Sequence, residues 1–119
     1  MISITTGSAE FPVLIPIVIN AMSGDRAHKS DFSLVTVDVG AVLTVTGTVD
    51  IPDRVFSLPL KWRGAWVLFA ATVANGVFEV RLKFDESGVA VLNEDCVNKD
   101  LPYPVFSVPT VQVDVLTVV

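Results

Sequence analysis

A chain of 119 residues fits one domain with one core, and this one is unusually greasy, with 51% hydrophobic and only 18% charged residues against the ordinary quarter or so charged. Its net charge of −5 repels phosphate backbones and its eight basic residues are scattered, which argues against a nucleic-acid partner. Its single cysteine rules out an internal disulfide. The 23 valines, nine threonines and six isoleucines are stiff at χ1 and suit a pleated surface better than a helix.

Strand signals recur at short spacing between Gly, Pro, Asn and Asp, and they predict a single all-β domain over residues 1–119. The expected architecture is an antiparallel β-sandwich, jelly-roll-like, or a small barrel, with about eight strands and little or no helix. Ile2 and Ile4 alternate with Ser3 and Thr5. Residues 11–19 are apolar on both faces, and Pro12 and Pro16 cannot donate to a ladder, so this segment should be an edge or bulged strand. It is also too short to cross a bilayer. With no basic stretch ahead of it, the expectation is synthesis in the cytoplasm without a signal peptide and no membrane insertion.

Residues 21–31 are polar and read as a loop with room for one helical turn. Val35, Val37 and Val39 then share one face. Leu43, Val45, Val49 and Ile51 share the next, with Thr44, Thr46 and Thr48 pointing away and Gly47 marking a bulge. Phe56, Leu58, Leu60 and Trp62 alternate with Ser57, Pro59 and Lys61.

Asn75-Gly76 predicts a two-residue hairpin turn, since both residues tolerate φ > 0. Counting outward pairs Val73 with Phe78, Ala71 with Val80, Phe69 with Leu82 and Val67 with Phe84 on an apolar core face. The other face pairs Thr72 with Glu79, Ala70 with Arg81 and Leu68 with Lys83, beside Trp66. The turn at residues 85–88 leads into Val89–Leu92. Residues 94–104 form a second loop, and Val111, Val113 and Val115 alternate against Gln112 and Asp114.

Catalytic groups are scarce. His28 has Ser23, Ser30, Asp25 and Asp31 nearby, but no nucleophile elbow stands in the sequence, and a solvated loop histidine is the expectation. The acidic neighbours of Cys96 disfavour a reactive thiolate. One His and one Cys fall short of a zinc site. The carboxylates at 85–86, 94–95 and 100 lack any calcium-loop spacing, and no glycine-rich loop cradles a phosphate. No catalytic residue, metal or cofactor is therefore assigned, and a small β-barrel enzyme built on distant carboxylates ranks last.

The aromatics say more. Trp62 and Trp66 flank a tight turn at Arg63-Gly64, and Tyr103 lies between two prolines. Trp, Tyr and Arg dominate interface energetics, so Trp66, Leu68, Arg81, Lys83, Trp62 and Tyr103 are the interface candidates, with Trp62 expected to cap the core. Several strands are apolar on both sides, whereas a lone antiparallel sheet needs only one greasy face. The expected function is a non-enzymatic structural subunit. It would assemble with itself and with a larger scaffold such as a capsid or tail, as a virus or bacteriophage decoration, head-fibre or tail protein in the virion does. The alternative is a carbohydrate- or receptor-binding module that stacks a glycan on Trp62, Trp66 and Tyr103.

Overall fold

The computed structural model describes residues 14–117, and within them the β-branched alternation is realised almost throughout. The strands are β1 (Ile15–Ser23), β2 (Ala27–His28), β3 (Leu34–Asp38), β4 (Val42–Val49), β5 (Arg54–Trp62), β6 (Ala65–Ala74), β7 (Val77–Lys83), β8 (Gly88–Leu92), β9 (Phe106–Ser107) and β10 (Val111–Leu116). Among the described residues there is one short helix, α1 (Glu94–Val97), capped by the Asn93 side chain, which accepts from the Cys96 amide at 3.0 Å. The ten strands form a single sheet in the order β2-β3-β10-β8-β5-β6-β7-β4-β1-β9, curled into a half-barrel. Two of the ten have two residues each, so the expected eight strands match the longer ones.

The sheet is not purely antiparallel. β10 lies parallel to β3, and β1 parallel to β9. Such neighbours cannot be joined by a tight turn, and no local turn signal reveals them.

The inner face is a continuous apolar layer. Val35, Val37, Leu43, Leu60, Val113 and Val115 are essentially sealed from water. Among the described residues no polar or charged side chain is buried, and none has a buried atom lacking a partner. Burial of this kind drives folding non-directionally, and direction comes from the turns. Arg63 and Gly64 have φ of 51° and 83°, and Asn75 and Gly76 have 53° and 76°. Both turns thus hold two successive left-handed residues, as a type I′ hairpin requires.

Three local expectations change, besides the helix α1 that opens the segment expected as a second loop. Residues 21–31 form no helical turn; β1 runs on to Ser23, and β2 adds a short strand. The bulge falls in β1 between Ile19 and Ala21, opposite Gly47 rather than at it. Gly47 is needed for space, because a Cβ there would stand 1.9 Å from the Val18 carbonyl oxygen and 2.6 Å from the Phe78 ring. The third change shapes the molecule. The β6–β7 ladder runs in the expected register from Ala74↔Val77 to Ala71↔Val80 and then stops. Beyond that point β6 pairs only with β5, while β7 pairs with β4. The hairpin splays like an open book, and large rings fill the opening. Phe84 packs against Trp62 at 4.6 Å and edge-on to Phe69 at 5.5 Å between ring centroids. The strand patterns at residues 2–5, 11–13 and 118–119 lie outside the described residues.

Candidate surface for partner binding

The splay decides which candidate residues meet. Leu68 was expected opposite Lys83, and Ala70 opposite Arg81. Instead Leu68 faces Pro59 and Ala70 faces Ser57 on β5, while Arg81 faces Thr44 and Lys83 faces Val42 on β4. The physical reason is the curl: β6 and β7 part beyond Ala71↔Val80, and each goes on pairing along its other edge, β6 with β5 and β7 with β4. The interface candidates therefore fall into two groups on different parts of the sheet.

The first group stands on the outer face of β5 and β6. Alternation turns Val55, Ser57 and Lys61 of β5, and Trp66, Leu68 and Ala70 of β6, outward. Three of them are large apolar residues with much of their surface in water: Val55 at 68%, Leu68 at 57% and Trp66 at 40%. The Trp66 indole is flanked by the Lys61 ammonium 4.3 Å and the Lys99 ammonium 5.2 Å from its ring centroid. Each such contact is worth about 0.5–1 kcal/mol at an exposed site and holds the ring in place. Lys99 itself reaches Asp100 at 3.0 Å.

The second group lies on the outer face of β4 and β7. Arg81 pairs loosely with Glu79 at 3.4 Å, among Thr44, Thr46 and Thr48. This face is polar except at its two ends, where Val42 and Val77 are exposed.

Trp62 faces inward against Phe84 and is half-buried, as expected for a core cap. Tyr103 is 65% exposed in the loop after α1. That loop is held by Asn98, which the sequence reading passed over. Its amide nitrogen donates to the Glu94 and Phe106 carbonyls at 2.9 Å, and its oxygen accepts from the Val105 and Phe106 amides at 3.0 and 2.9 Å. The loop crosses the stretch of β5 that β8 leaves unpaired, for β8 meets β5 only at Lys61 and Trp62. It leaves a cleft of about 140 Å³ between α1, β5, β1 and β9.

Of the groups weighed for catalysis, His28 and Asp25 come together. His28 Nδ1 lies 2.7 Å from Asp25 Oδ2 and the ring stacks on Phe32 at 5.1 Å. Both Ser33 hydrogen bonds go to Asp31 instead, holding its carboxyl below the usual carboxylate range. Cys96 is buried and donates to the Val91 carbonyl at 3.4 Å. Among the described residues no three metal-ligating side chains gather, and no helix is long and apolar enough to cross a membrane.

Comparison with known protein families, curated proteins and solved structures found no match. The functional reading therefore rests on this geometry.

Proposed function

We propose that the protein is a non-enzymatic assembly subunit that docks against other protein chains through the outer face of β5 and β6. The observation that carries this reading is the strip of Val55, Leu68 and Trp66, three large apolar side chains left in water on one face of the β5–β6 pair. Burying a Leu or Val side chain that was exposed is worth about 1.5–3 kcal/mol, and Trp is the residue most enriched at interface hot spots. Two lysines steady the indole, so little side-chain entropy is lost when a partner covers it. Self-association and attachment to a larger scaffold both fit such a strip. A virus or bacteriophage particle, with this chain as a capsid decoration, head-fibre or tail component, is the setting we propose.

Binding a glycan is the second reading, and the exposure of Tyr103 and Trp66 favours it. Its platform is smaller than three rings, since Trp62 is committed to Phe84.

Light scattering coupled to size-exclusion chromatography tests the first reading, with an oligomer expected at micromolar concentration. Leu68→Asp should convert it to monomer without lowering the melting temperature appreciably. A wild-type chain that stays monomeric and brings down no scaffold component from native particles would overturn the proposal. Glycan-array binding abolished by Trp66→Ala would favour the second reading instead.

A further inference from the structure

The cleft beside α1 has the properties of a small-ligand site, and it reaches the outer face of β5 at Ser57 and Pro59 without including Trp66, Leu68 or Val55. Its walls are apolar, with Ile17, Phe56, Leu58, Leu101 and Phe106 among them, and its volume is about 140 Å³. An apolar cavity of roughly 150 Å³ is large enough to take up benzene. It is continuous in its lining with the core, because Ile17, Phe56 and Leu58 also border a small void of about 30 Å³ between the two halves of the curled sheet. A body the size of one aromatic ring would therefore meet hydrocarbon on most sides.

The rim supplies the charge. Arg54, at the start of β5, borders the cleft and is exposed to water. Among the described residues it makes no ion pair, whereas Arg26, Arg63 and Arg81 each have a carboxylate partner. The one carboxylate on the rim, Asp100, is occupied by Lys99. A guanidinium presents paired donors that match a carboxylate in a planar fork. An apolar cleft of one-ring size with an unpaired arginine at its mouth is complementary to an amphiphile, with hydrocarbon inside and anion outside.

We infer that this cleft binds a small apolar carboxylate, such as an aromatic acid, its ring against Phe56 and Leu58 and its carboxylate on Arg54. The site does not depend on the assembly reading, since neither Trp66 nor Leu68 lines it.

Methyl NMR of the full chain titrated with sodium benzoate, and in parallel with benzyl alcohol as the uncharged counterpart, tests it. Shifts are expected at Ile17, Leu58, Val97 and Leu101 and not at Val35 or Val115, with benzoate binding about tenfold tighter than the alcohol. Arg54→Gln, at an exposed position, should make the two ligands bind equally while the spectrum keeps its fold. Absence of saturable shifts at the cleft methyls with either probe would overturn the site. Equal affinities in the unaltered chain, or a preference for benzoate that survives Arg54→Gln, would overturn the carboxylate assignment.

Discussion

The outer faces of β5–β6 and β4–β7 adjoin on one sheet and yet differ in kind. The first carries Val55, Leu68 and Trp66 with two lysines around the indole. The second carries a ladder of Thr44, Thr46 and Thr48 beside Glu79 and Arg81. Had the β6–β7 hairpin stayed paired along its length, Leu68 would have met Lys83 and Ala70 would have met Arg81, giving one mixed surface. The splay keeps Leu68 and Ala70 away from Arg81 and Lys83. A partner thus meets either an apolar strip or a polar wall, and interface cores are made from the former.

The largest effect comes from removing what props the faces apart. Phe84 fills the opening between β6 and β7, buried against Trp62 and Phe69. Phe84→Ala should cost about 4 kcal/mol through lost burial and the cavity left behind. Denaturant unfolding measures this, and a loss under about 1 kcal/mol would mean that the wedge does not hold the splay.

Asn98 comes next, because it acts on one face only. Four hydrogen bonds from its amide tie α1 to β9 and hold the loop that carries Lys99 over Trp66. Asn98→Ala leaves two carbonyls and two amides without that partner, and about 2–3 kcal/mol of stability should be lost. Tryptophan fluorescence should change with it as Lys99 leaves the indole, while the β4–β7 face keeps its amide-exchange protection. Uniform loss of protection over both faces would show that the loop supports the whole sheet.

Paired charge insertions then compare the faces directly. Leu68→Asp should weaken association more than about tenfold, and Thr46→Asp on the other face should leave it within about twofold. Both positions point outward, so both variants should stay folded. If Thr46→Asp dissociates the assembly and Leu68→Asp does not, the docking face has been assigned to the wrong pair of strands.

Much of this was legible from residue order. Period-two alternation placed Leu43, Val45 and Val49 inside and the threonines outside, and Asn75-Gly76 set the register of the first four pairs correctly. The register count then ran too far. Counting outward from a turn assumes that two strands remain neighbours, but β6 and β7 part beyond Ala71↔Val80 while each keeps its ladder on its other edge, β6 with β5 and β7 with β4, so the opening belongs to the curl of the whole sheet, which no local pattern encodes. The parallel pairs at β1–β9 and β10–β3 escaped for the same reason. Trp66 and Leu68 were placed on an outer face correctly because that depends on alternation alone. Asn98, whose partners lie up to eight residues away, looked like any polar residue in a loop. The cleft beside α1 exists only once that loop is folded over β5.

The smallest expected effect lies off both faces and serves as their control. Asp31, in the turn between β2 and β3, accepts from both the hydroxyl and the backbone amide of Ser33, with Lys29 adding a weaker attraction, so its carboxyl titrates below its ordinary value. A carboxyl held lower in the folded chain than in the unfolded one binds its proton less readily when folded. Its contribution to stability is therefore present above the ordinary carboxylate value and fades as pH falls through the folded value. Ser33→Ala removes the hydroxyl donor and keeps the backbone one, so the Asp31 titration should move part of the way back up. Carboxyl chemical shifts followed from about pH 2 to pH 7 would read this directly. Since Asp31 is exposed, the melting temperature at neutral pH should barely move, and association through Leu68 should not move at all. An unshifted Asp31 titration would mean that the hydroxyl contact does not form in solution. A change in association would mean that this turn, and not only the β5–β6 strip, touches the partner.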